Sequence, residues 1–104
     1  MIRMDYTQTR VAARKLNDAA SECSEMLNRV SRLQALLPAC WEGDSALAFS
    51  SKMARWVQET MSIRSELWAL AGDINRIVND FEATEARLAA QASAFGANAG
   101  GGSR

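Results

Sequence analysis

Apolar residues recur at helical spacing along nearly the whole chain. Between Asp5 and Leu37, the positions Ala13, Leu16, Ala20, Cys23, Leu27, Val30 and Leu37 follow in steps of three and four, broken once at Gln34. Ala12, Ala19, Met26 and Leu33 lie one place earlier and widen the stripe, so this segment reads as an amphipathic helix. Asp5 followed by Gln8 is an N-terminal capping pattern, which starts this helix at about residue 5. Pro38 is expected to end it at about residue 37, because proline disfavours helical geometry before it and has no N–H to give.

After a short break over residues 38–44, with Asp44 as the expected cap, the helical pattern resumes and runs to about residue 95. With Ala46 as heptad position a, the a series is Ala46, Met53, Thr60, Leu67, Ile74, Phe81 and Leu88, and the d series is Phe49, Trp56, Ile63, Leu70, Ile77 and Thr84. Only Thr60 and Thr84 are polar and neither is charged, so a heptad seam is sustained over six repeats. Gly96 is the expected stop, and residues 96–104, ending in a Gly-rich run, are expected to form a disordered tail.

Two long amphipathic helices joined by a short turn make antiparallel neighbours, and the fold class is an all-α helical hairpin. The helices are unequal, about 33 against about 51 residues, or near 50 against near 76 Å. Counting outward from the turn sets Asp5 opposite Ile77 and leaves residues 78–95 overhanging. The second helix also carries apolar residues off the a/d seam: Leu47, Val57, Met61, Trp68 and Val78. One partner helix cannot cover both lines, so these five residues are the expected dimer interface, closing two hairpins into a four-helix bundle.

Composition narrows the chemistry. Twelve Lys and Arg balance twelve Asp and Glu, which removes the basic footprint of a general nucleic-acid binder. Histidine is absent, so His-based acid–base, metal and nucleophile arrangements are excluded, and no cofactor or metal site is expected. The acidic pairs Asp80/Glu82 and Glu82/Glu85 lie on a helix without a pocket to desolvate them, and the chain is read as non-enzymatic. Cys23 and Cys40 are too far apart on one helix for an internal disulfide. No run approaches the roughly 20 apolar residues of a membrane span, and no secretory signal pattern opens the chain. Charge is unevenly shared: residues 1–38 are net basic and 39–95 net acidic, which suits their packing together.

Trp41-Glu42-Gly43 sits near residue 40, in the turn of a roughly hundred-residue helical hairpin. In this the chain resembles the WXG-100 family, the early-secreted-antigen-like substrates of bacterial type VII secretion. The resemblance spans about residues 5–95. It implies pairing with itself or with a sister protein of the same type, and folded export through a type VII secretion ATPase without a cleaved signal peptide. The resemblance also implies a secreted virulence or interbacterial effector. An alternative within that system is an accessory partner that escorts a larger toxin, and an alternative of a different class is a cytoplasmic coiled-coil adaptor with no secretion at all. The family's second export element, Tyr followed four places on by Asp or Glu, corresponds to Phe81 and Glu85, with Phe in place of Tyr. Read physically, Gly43 has the freedom to reverse the chain and Trp41 the bulk to plug the open end of a bundle.

Overall fold

The computed structural model describes the backbone of residues 5–102 and the side chains of residues 5–96. The chain is two antiparallel helices, α1 (Tyr6–Cys40) and α2 (Asp44–Gly102), in a rod 92 Å long and about 17 Å across. The start of α1 is as expected: Asp5 is extended and its carboxylate accepts the Gln8 amide at 3.1 Å.

The far end of α1 departs from expectation. Pro38 lies inside the helix, which continues to Cys40 before Trp41 becomes extended. Proline removes only its own amide from the ladder, and Trp41 N–H still reaches the Leu37 carbonyl at 2.9 Å. Gly43, at φ 98, makes the reversal and is the only left-handed position among the described residues. Its carbonyl accepts the Leu47 amide at 3.1 Å, so Asp44 lies within the first turn of α2 instead of capping it. There its carboxylate favours the positive helix end. At the other end α2 passes Gly96, because glycine stops a helix only where it turns left-handed, and Gly96 does not. Residues 96–102 are therefore helical in backbone, against the expected disordered tail; Ser103 and Arg104 lie outside the described residues.

The core is a thin strip between two helices. Ala13 and Ala20 of α1 meet Ala71 and Val78 of α2, with Thr60 the buried polar member. Small side chains at the contact let the helix axes approach closely. On α2 the inward line combines the a positions Met53, Thr60, Leu67 and Ile74 with the e positions Val57, Arg64, Ala71 and Val78. The expected d positions turn outward: Ile63, Leu70 and Ile77 are 50, 49 and 48 % exposed. Positions a and e are four residues apart and point about 40° from one another, so they form as coherent a seam as a with d. Small Ala71 and β-branched Val78 fit the close contact better than the bulkier Leu70 and Ile77.

The register also differs. Ser24 accepts a hydrogen bond from Arg64 at 3.0 Å, and Asn79 one from Arg10 at 3.0 Å, so facing residues have numbers summing to about 89. Tyr6 consequently lies near Glu85 and not Ile77. Extended Trp41 carries the chain outward before Gly43 reverses it into α2, and the helices are offset by about one heptad from the expected register. The overhang of α2 therefore starts near residue 86.

Candidate export surface

At the turn, the Trp41 ring rests against Phe49 with centroids 5.3 Å apart and planes tilted by 45°. Two neighbouring turns thus hold the indole in place while 39 % of Trp41 remains exposed. Beside it opens an apolar cleft of about 400 Å³, with Leu37, Pro38, Trp41, Gly43, Ala46 and Leu47 in its walls. Gly43 is open on its side-chain face, with no atom within 4 Å of where a Cβ would project. Trp41 and Gly43 thus form a rigid, accessible apolar feature at one end of the rod.

The other end of the hairpin is closed by polar groups. Arg10 pairs with Glu82 and hydrogen-bonds Asn79. The phenol of Tyr6 stands against Glu85, and its pKa is pushed up to about 12, first by hydrogen bonding to that carboxylate, then by desolvation and the charges of Glu85 and Glu82. The hydroxyl is sealed from solvent without a well-aligned partner, so the contact is close but imperfectly directed. Phe81 is 39 % exposed, one helical turn before Glu85. The structure therefore assembles a ring, a carboxylate and a phenol at this end, the phenol arriving from α1. Tyr6 was not among the residues singled out from sequence, because only the register of the two helices reveals its neighbour.

The five residues expected at a dimer interface do not form one face. Val78 is fully buried against α1 and Val57 half-buried, so these belong to the hairpin's own seam. This corrects the sequence expectation, and the cause is the a/e seam described above. Leu47, Met61 and Trp68, all b positions, are exposed on the opposite flank of α2 from Ile63, Leu70 and Ile77. On that flank Arg64 lays its guanidinium 5.0 Å from the Trp68 ring centroid, while its Nε is buried without a partner. Among the described residues no cluster of three or more metal-ligating side chains occurs, and no helix is long and apolar enough to cross a membrane.

The family model for WXG100, proteins of 100 residues with WXG, matches residues 1–86. The chain belongs to the WXG100 family. The matched span ends where the overhang of α2 begins. A curated relative, the ESAT-6-like protein EsxB of Corynebacterium diphtheriae, is 29 % identical over 87 residues, covering 84 % of this chain and 83 % of its own length. No solved structure matches the chain. WXG100 membership makes this hairpin one of a family of secreted, non-enzymatic type VII substrates that pair as homodimers or heterodimers. The Trp41-Glu42-Gly43 turn is the tripeptide that gives the family its name.

Proposed function

We propose that this WXG100 protein is exported as a folded pair of hairpins by a type VII secretion ATPase and acts outside the cytoplasm by protein–protein contact. The observation that carries the reading is the turn: Trp41 is pinned by Phe49 yet left accessible beside an apolar cleft. A side chain serving only to plug its own hairpin would be covered. The second recognition element is the group at the far end, where Phe81 supplies the ring and Glu85 the carboxylate. Tyr6 adds a phenol to that carboxylate from α1.

The exposed apolar residues support the pairing. Met26 and Leu33 on α1 and Ile63, Leu70 and Ile77 on α2 are half exposed, and covering the remaining half of a side chain of this size contributes about 1 kcal/mol. A second reading, escort of a larger toxin, is favoured by Phe81: a protein whose own export element is altered is suited to travel with a partner that carries one. Trp41→Ala and Glu85→Ala test the proposal together. Both variants are expected to retain wild-type helicity and accumulate in cells while disappearing from culture supernatant. Undiminished secretion of both would overturn the assigned recognition elements. Loss of secretion only when a larger helical protein is deleted would select the escort reading.

A further inference from the structure

We infer that the flank of the hairpin carrying Leu47, Met61 and Trp68 is a second docking surface, and that its occupant is a helix of a different protein that presents an Asp or Glu carboxylate to Arg64 from an otherwise uncharged face. This flank lies on the opposite side of the rod from the exposed residues assigned above to pairing.

The distribution of charge picks out the surface. Ser24, which accepts the Arg64 hydrogen bond at 3.0 Å, marks the side of α1 that borders this flank. Residues three, four and seven places away share one side of a helix, which adds Asn17, Ser21, Asn28 and Ser31, all exposed. From α2 come the heptad line Leu47, Ala54, Met61 and Trp68 and, beside it, Ser51, Gln58 and Ser65, also exposed. None of these residues is charged. The charges of the same stretch of α2 stand elsewhere: Lys52, Glu59, Glu66 and Asp73 occupy g positions toward the pairing side, and Arg55 and Arg76 occupy c positions on the outer side. The apolar cleft at the turn, with Pro38 and Leu47 in its walls, continues the same strip. A centre poor in charge and holding Met, Trp and Arg is the composition of a protein–protein contact.

Arg64 is the single charge within the strip. It stands on the inward line of α2 and reaches outward, where Ser24 holds Nη1 and the guanidinium lies 5.0 Å from the Trp68 ring centroid. Its Nε is buried without a partner, and among the described residues no carboxylate pairs with it. A guanidinium presents its N–H donors in a planar fork that a carboxylate fits with two bonds at once. Here the fork is already oriented, so an incoming carboxylate meets it without the cost of ordering a free side chain. The hairpin supplies the base and leaves the acid to a partner.

The shape of the surface suits a helix. Two helices packed side by side leave a straight furrow between them, and a third helix fills it by the same ridge-and-groove packing. Leu47, Ala54, Met61 and Trp68 alternate large and small side chains at a spacing of seven over about 32 Å, which matches the apolar spacing of such a helix. A second copy of this chain suits it poorly. Between Asp44 at the turn and Glu82, which Arg10 already holds, the face carries no carboxylate. One copy laid centrally on another would therefore set Arg64 against serines, asparagines and apolar groups.

Two synthetic amphipathic helices of about three heptads test the surface, with leucine at a and d and alanine and glutamine elsewhere. One carries a single Glu at the middle of its apolar stripe and the other Gln there. By fluorescence anisotropy the Glu peptide should bind the unsubstituted chain about tenfold tighter than the Gln peptide, as a charge-assisted hydrogen bond implies. Arg64→Gln should equalise the two peptides and Trp68→Ala should weaken both, whereas Leu70→Ala, on the pairing side, should leave the preference intact. Arg64→Gln and Trp68→Ala should keep the helicity of the unsubstituted chain by circular dichroism and its mass by light scattering. Equal affinity of the two peptides for the unsubstituted chain, or a preference that survives Arg64→Gln, overturns the inference. A smaller mass for Trp68→Ala overturns it as well, because the occupant of this flank would then be a second copy.

Discussion

Tyr6 and Glu85, 79 residues apart in sequence, meet where α1 begins, and the carboxylate holds the phenol proton far above its ordinary range. The phenol is the protein's single tyrosine, so the absorbance change on its ionisation reports this contact above the constant absorbance of the three tryptophans. The titration is expected near pH 12 instead of 10. A group with a raised pKa in the folded state contributes stability that is complete below its unfolded value and lost as pH rises through the folded one. Thermal stability should therefore fall between pH 10 and 12. Tyr6→Phe should flatten that decline, and an unchanged decline would disprove the coupling.

The hairpin seam makes a prediction that separates neighbouring positions. Val78→Ala deletes two methyl groups from a fully buried site and should cost about 2 kcal/mol, read as a lower urea midpoint. Trp68→Ala removes a larger side chain from an exposed site and should change the midpoint much less. The reverse order would return Val78 to an outward face.

Gly43 offers a test of the turn. No atom obstructs a Cβ there, so Gly43→Ala carries only the backbone penalty of placing alanine at φ 98, about 1–2 kcal/mol. Helicity by circular dichroism should be retained with a lowered melting temperature. A gain in stability would show that the left-handed turn is dispensable.

Closure of the open end is weaker. Arg10 is partly exposed, and its pairing with Glu82 is of the kind that contributes about 0.2–1 kcal/mol. Arg10→Ala should leave global unfolding nearly unchanged while speeding amide exchange in the first two turns of α1. Equal acceleration along both helices would contradict that localisation.

These contrasts show what the sequence could and could not convey. Two helices and their joining turn were legible because Ala13-to-Leu37 and Ala46-to-Leu88 keep a helical period with few interruptions. The all-α hairpin follows from that pattern and is what the structure shows. The facing of α2 was not legible, because the d series is almost wholly apolar whereas e holds Ser50, Arg64 and Glu85 beside Val57, Ala71 and Val78, so periodicity favoured d over the line that packs. Close packing chose e, where Ala71 and Val78 stand, and this moved Val78 inward and Ile63, Leu70 and Ile77 outward. The ends of the helices were obscured by Pro38 and Gly96, both compatible with a helix in the places they occupy. Trp41 and Gly43 were recognisable from their place in the turn, whereas Tyr6 became relevant only through the register that sets it beside Glu85.

The most direct test of the account is a comparison of culture supernatants from the native bacterium with and without its type VII secretion ATPase, with cell lysis monitored by a cytoplasmic marker. The account predicts full-length protein in the supernatant of the intact strain and its retention in cells lacking the ATPase. Equal amounts outside both strains, or confinement to the cytoplasm in both, would contradict it.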